Sequence, residues 1–128
     1  MTVVGLDTNA LMMPVELDVR VFEELDRVVE APEPATARAV VEELRELSDS
    51  GMGEEAMAAA VGLDLATERC RIVEHGEPYA DDAVVELATA GTFEQVVTND
   101  GPLRDRLLER GVPVIGLRGR NKLAVTRP

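Results

Sequence analysis

The apolar positions of the chain fall into two kinds of pattern. Short runs centred on consecutive apolar residues occur at Thr2–Leu6 ("TVVGL"), at residues 71–74, at 95–98 and at 112–117. Runs of this kind read as strands buried on both faces. Between them, apolar residues recur at helical spacing. Residues 19–29 carry Val21, Phe22, Leu25, Val28 and Val29 on one stripe. "APEPAT" (31–36) then breaks the chain, with Thr36 placed to cap a helix that runs to about Leu47. "SDSGMG" ends that helix. An alanine-rich helix over 54–68, a turn at "HGEP", a helix over 80–90 and another over 102–110 with Pro102 in its first turn complete the pattern. Strands alternating with helices predict a three-layer α/β/α fold with a central parallel sheet of four to five strands. No repeat or linker interrupts the 128 residues, so they are expected to form a single domain over 1–128.

Charge adds a second layer. The formal net charge is −12, with 25 acids against 13 bases, and Lys122 is the sole lysine. Such an excess of acid suits a protein kept soluble in concentrated salt, and predicts a salt-accumulating source. No acid follows Glu109, whereas Arg110, Arg118, Arg120, Lys122 and Arg127 are basic. The segment from about 118 to 128 therefore reads as a short basic C-terminal stretch able to meet a polyanion. One cysteine (Cys70) and one histidine (His75) exclude a disulfide framework and a multi-histidine metal site. No segment reaches membrane-spanning length and no leader precedes the first strand, so a cytoplasmic protein without a membrane partner is expected.

Four acidic positions stand out against this background. Asp7 ends the first strand in "LDTN", and Asp100 ends a later one in "VTND". Aspartate caps turns and helices well, so each alone reads as a cap. Two strands ending in the same polar sequence argue for a shared site at the carboxyl ends of the sheet. Glu43 flanks the stripe Val40–Leu44–Leu47 and can look over the sheet edge, while Glu42 points away. Asp81 and Asp82 both stand near the start of a helix, and periodicity leaves open which caps it and which serves the site.

The ordered set "LDTNAL", "VVEEL", "ADDAVVELA" and "VVTNDGPLRDRL" resembles the PIN-domain family of metal-dependent ribonucleases over nearly the whole chain. That resemblance implies that Asp7, Glu43, Asp82 and Asp100 are the catalytic, metal-binding acids. Asn9, Thr98 and Asp81 would then orient them, with Asp82 preferred to Asp81 as the direct ligand. It implies one or two Mg²⁺ or Mn²⁺ ions, which the all-oxygen donor set also suits. The implied reaction is endonucleolytic hydrolysis of RNA that leaves a 5′-phosphate. "YADDAVVELA" and "GVPVIGLRGRNKL" look more like the ribosomal-RNA-processing branch and its archaeal stand-alone relatives than like VapC-type toxins. Partners implied are RNA (single-stranded or structured ribosomal RNA), a second copy in a homodimer, and an antitoxin or ribosome-assembly proteins.

Competing chemistries lack their residues. His75 reads as a turn residue and Cys70 as a buried one, with no base–nucleophile pair between them. Neither a "GxxxxGK" nor a "GxGxxG" loop is present. Aromatic residues are 2%, so no base-stacking platform exists and RNA contact falls to Arg118, Arg120 and Lys122. Arg104 and Arg106 read as the solvated face of their helix. Three functions remain: a metal-dependent endoribonuclease, a VapC-like toxin, and a non-cleaving RNA-binding or ribosome-assembly protein that keeps the fold.

Overall fold

The computed structural model describes every residue, Met1–Pro128. Six strands and six helices follow in the order β1 (Thr2–Leu6), α1 (Thr8–Glu16), α2 (Val21–Val28), β2 (Pro32–Ala37), α3 (Arg38–Ser50), α4 (Gly53–Arg69), β3 (Arg71–Val73), α5 (Ala80–Thr89), β4 (Gln95–Val97), α6 (Gly101–Glu109), β5 (Val114–Arg118) and β6 (Lys122–Thr126). They form one sheet of order β3-β2-β1-β4-β5-β6. The first five strands are parallel, and β6 runs antiparallel to β5. Connections step from β1 outward to β3, then return past β1 to β4 and on to β5. Right-handed crossovers therefore put α1–α4 on one face and α5 and α6 on the other. The α/β/α expectation holds, with six strands in place of four to five.

The two additional strands come from segments with weak strand patterns. β2 begins Pro32-Glu33-Pro34, which reads as a break. β3 pairs only with Ala35–Ala37, so the prolines lie where that side of β2 has no neighbour and a missing N–H is tolerated. Thr36 is a fully buried strand residue, and its hydroxyl donates to the Leu6 carbonyl at 2.7 Å. It is no helix cap; α3 starts later, behind Ala37. The basic C-terminal stretch contains the last strand, β6. Arg118 pairs with Lys122 and Leu117 with Leu123 across a tight turn. Leu123 is buried in the core. Its N–H donates to Glu24 Oε1 at 2.9 Å, and its carbonyl accepts from Arg27 Nη2 at 2.7 Å. Two side chains of α2 thus satisfy backbone groups on an otherwise open sheet edge.

α1 also lacks a visible helical stripe. Ala10, Leu11, Met12 and Met13 are all buried, because α2, α3, α4 and β1 surround this short helix. Burial on several sides erases amphipathic periodicity, and Pro14 near its end reinforces the look of a turn. Two glycines permit the close packing. A Cβ on Gly62 would lie 2.7 Å from the Leu11 carbonyl oxygen, and one on Gly5 would lie 2.3 Å from the Phe93 ring. Phe93 fills the centre of the core against β1. No helix is long and apolar enough to cross a membrane.

Candidate active site

The chain reverses its direction of travel through the sheet between β1 and β4, which lie side by side. A crevice opens at the carboxyl ends of the strands at such a point. Asp7 leaves β1 and caps α1, accepting from the Ala10 N–H at 2.7 Å. Asp100 follows β4 and caps α6, accepting from the Leu103 N–H at 3.0 Å. Capping and placement in a shared site therefore coincide in both residues. Thr98 joins them. Its buried hydroxyl donates to Asp7 Oδ2 at 2.5 Å and accepts from the Asp100 N–H at 3.0 Å. Asn9 Oδ1 accepts from the Asn99 N–H at 2.9 Å, which ties the start of α1 to the loop after β4.

Asp7, Thr8, Asn9, Glu43, Asp81 and Asp100 line a single cleft of about 320 Å³, together with Glu16 and Glu55. Glu43 projects from α3, and its Oε1 accepts from the Thr8 hydroxyl. α3 itself is capped from outside, since the Ala39 N–H donates to His75 Nε2 at 2.9 Å. His75 is thus an acceptor holding the helix that carries Glu43, a role beyond a simple turn.

The structure corrects the order of the two neighbouring aspartates. Asp81 faces Asp100 and Glu43 in the cleft. Asp82 instead pairs with Arg106 at 3.0 Å and lines a separate hollow with Glu77, Val85, Glu86 and Thr89. Helical geometry explains the split. Asp81 shares its face with the buried Val84, Val85 and Ala88, at spacings of three, four and seven. Asp82 shares its face with Val85, Glu86 and Thr89, at the outer side of α5. Neither caps the helix, because Tyr79 is its N-cap. Glu16 and Glu55 escaped the sequence reading altogether. For Glu16 the spacing Asn9–Met12–Glu16 along one face of α1 was an available signal, once α1 is known to be a helix.

Electrostatics mark the cleft as a place where negative charge is crowded. The Asp7 carboxyl is pushed up to about 7, chiefly by burial and further by the nearby Asp81 and Asp100. The bonds from Thr98 and Ala10 oppose that rise without cancelling it. Asp81 is also raised, by desolvation first and then by Asp100 and Glu43. Elsewhere, burial lifts the Cys70 thiol to about 12, so it makes no nucleophile at neutral pH.

No three of these carboxylates stand close enough together to coordinate one ion directly. The donors are nonetheless all oxygen, and crowded anions in an open cleft match a cation that keeps part of its water shell. Of the basic residues expected to meet RNA, Arg118 ends β5 beside the cleft and Arg120 sits on the β5–β6 turn. Lys122 is engaged elsewhere, 3.7 Å from Glu24 on α2.

The profile of the PIN-like domain family matches residues 4–120. The chain belongs to the PIN-like domain family. Within the curated proteins, this PIN-like domain is 29% identical over 114 residues to ribonuclease VapC4 of Methanocaldococcus jannaschii, covering 88% of this chain and 87% of that one. Its fold resembles the PIN domain endonuclease Utp24 with a TM-score of 0.79 and 26% identity, over 98% of this chain and 92% of the other. The VapBC2 structure from Rickettsia felis, solved with a DNA fragment from its promoter, matches with a TM-score of 0.64 at 14% identity, over 90% and 98% of the chains. Nucleases thus stand among the relatives of this chain in both sequence and fold.

Proposed function

We propose that the protein is a divalent-metal-dependent endoribonuclease that hydrolyses RNA phosphodiesters. The observation that carries this reading is the convergence of Asp7, Glu43, Asp81 and Asp100 on one cleft at the switch point of the sheet, with Thr98 linking the first and last. Carboxylates gathered in this way repel one another, and Asp81 and Asp100 add to the rise in the Asp7 pKa that burial chiefly causes. A bound Mg²⁺ or Mn²⁺ ion offsets the repulsion, and supplies charge neutralisation to the phosphate and a water nucleophile of lowered pKa. Asp7 and Asp100 would hold it most directly, with Glu43 and Asp81 completing the site through water.

The remaining work is done by the chain. Thr98 and the Ala10 N–H fix both oxygens of Asp7, so its carboxylate meets a cation without reorienting. Thr8 does the same for one oxygen of Glu43. Asn9 and Asn99 lock the two loops at the crevice to each other. A rigid set of anions on short loops after strands is what positioning catalysis requires.

The likeness to the PIN domain endonuclease Utp24 spans 98% of the chain and supports endonucleolytic cleavage. The motifs "YADDAVVELA" and "GVPVIGLRGRNKL", which resemble the ribosomal-RNA-processing branch, make structured ribosomal RNA the proposed substrate. The identity to VapC4 supports a second reading, a toxin ribonuclease restrained by an antitoxin. Incubation of purified protein with end-labelled structured RNA tests the main reading. Cleavage with Mn²⁺ that EDTA abolishes, leaving 5′-phosphate ends, is expected. Growth arrest on expression, relieved by a small co-expressed protein, would favour the toxin. Binding of RNA without any cleavage would leave a non-cleaving RNA-binding or assembly protein.

A further inference from the structure

A second, smaller groove of about 90 Å³ adjoins the acidic cleft, on the β5 side of Asp100. Asn99, Arg104, Gly116, Arg118 and Thr126 line it together with Thr98, whose hydroxyl bonds to Asp7 of the acidic cleft. We infer that this groove binds a phosphate of the RNA strand next to the one that is cut, held by Arg104 and Arg118. The inference rests on the nuclease reading above and adds to it the place where the strand is gripped.

Charge supports the assignment first. On a chain of net charge −12, each of the four other larger clefts includes at least one carboxylate in its lining. This groove has two guanidinium groups and none. Arg104 has only the exposed, sequence-adjacent Asp105 at 3.6 Å, a contact of little worth in water. Arg118 has no ion pair. Both guanidinium groups are thus available, and a fork of N–H donors matches phosphate geometry.

Shape supports it next. A Cβ on Gly116 would lie 3.3 Å from the Thr98 carbonyl oxygen and 3.9 Å from Asn99 Oδ1, so any side chain there would crowd the floor of the groove. The volume equals roughly three water molecules, which a phosphate group can displace. Asn99 contributes as well. Its backbone N–H is engaged by Asn9 and its side-chain oxygen accepts from the Leu117 N–H, leaving its amide NH₂ as a donor. The groove thus offers donors, and the neighbouring cleft offers anions that require a cation. An RNA strand crossing Thr98 meets the two in succession.

The test measures binding apart from cleavage. Anisotropy of a fluorescein-labelled single-stranded RNA 12-mer is followed in Mg²⁺ over a salt series, with every protein carrying Asp7→Asn to halt turnover. The added pair Arg104→Ala and Arg118→Ala is expected to weaken binding several-fold. It should also flatten the plot of log affinity against log salt by about 0.7 for the lost phosphate contact. Both arginines are exposed, and an unchanged melting temperature confirms folding. Thr126→Glu, which places a carboxylate in the groove and leaves both arginines intact, should reproduce the loss. Arg120→Ala, on the turn outside the groove, should leave the slope unchanged. An unchanged affinity and slope in the double variant, an equal effect from Arg120→Ala, or a parent that binds no RNA would each overturn the inference. The nuclease reading is judged separately, by cleavage with the wild-type protein.

Discussion

The hydroxyl of Thr98 donates to Asp7 Oδ2 at 2.5 Å, across the boundary between two neighbouring strands. The same oxygen accepts from the Asp100 N–H, so one small buried side chain sets the relation between the two central carboxylates. Thr98→Val keeps the shape and removes both bonds. Cleavage rate or Mn²⁺ affinity is expected to fall about 10- to 100-fold, as for partners that orient metal ligands. The unpaired buried groups should cost about 1–3 kcal/mol in urea unfolding. Thr98→Ser should recover most of both.

Asp81 and Asp82 separate cleanly by experiment. Asp81→Asn is expected to lower RNA cleavage, because its carboxylate faces Asp100 and Glu43. Asp82→Asn removes only a half-exposed pair with Arg106, which is worth about 0–1 kcal/mol, and should leave the cleavage rate close to wild type. Rates measured side by side under single-turnover conditions check this. The reverse ranking would place the helix start in the wrong rotation.

Without metal, Asp7 makes the fold less stable as pH rises. Its carboxyl is held near 7 in the native state against an ordinary 3.8, so between these values the native state binds the extra proton. Stability from this group therefore declines from about pH 4 to pH 7 and stays low above. A divalent ion favours the ionised form and should reverse the trend. The rise in melting temperature on adding Mn²⁺ is expected to be larger at pH 8 than at pH 5. In EDTA at pH 8, Asp7→Asn should melt no lower than wild type, and its response to Mn²⁺ should be small.

Glu24 behaves in the opposite sense. The bonds from Arg27 and the Leu123 N–H hold its carboxyl near 2, below the ordinary 4.5. Its contribution is present above about pH 4.5 and is lost as pH falls toward 2. Glu24→Gln should destabilise by about 2 kcal/mol at pH 7 and remove this part of the acid transition. Amide exchange in β6 is expected to quicken before the rest of the sheet, because Glu24 and Arg27 hold Leu123 on the open edge.

The chain's acidity predicts one solvent response. With 25 acids against 13 bases, self-repulsion is screened by salt, and melting temperature should rise from low to molar KCl. Equal stability at both would remove the support for a salt-adapted protein.

Much of this architecture was legible in the chain because parallel strands are buried on both faces. Their continuous apolar runs showed β1, β4 and β5, and the helical stripes showed α2, α3, α5 and α6. Segments whose environment erases periodicity were not legible. α1 buries four consecutive residues, Ala10–Met13, and so shows no helical stripe. β2 carries prolines that only an unpaired edge allows, and β6 depends on α2 side chains distant in sequence. At the site, Asp7, Glu43 and Asp100 were singled out from strand ends and one helical stripe, whereas Asn9 and Thr98 came from the family resemblance. The choice of Asp82 over Asp81 followed the family resemblance. Periodicity left the two open, and the structure places Asp81 in the cleft beside Asp100 and Glu43. Arg104 looked like a solvated helix residue because nothing local shows β5 and β6 closing beside it.

The most direct measurement is the single-turnover rate of labelled RNA cleavage in Mn²⁺, compared for wild type, Asp7→Asn and Asp100→Asn. Loss of a ligand should exceed the 10- to 100-fold cost of losing its orienting partner, so each variant is expected to fall by at least about a hundredfold. EDTA should abolish the wild-type rate. Equal rates in the three proteins, or cleavage that survives EDTA, would contradict the account.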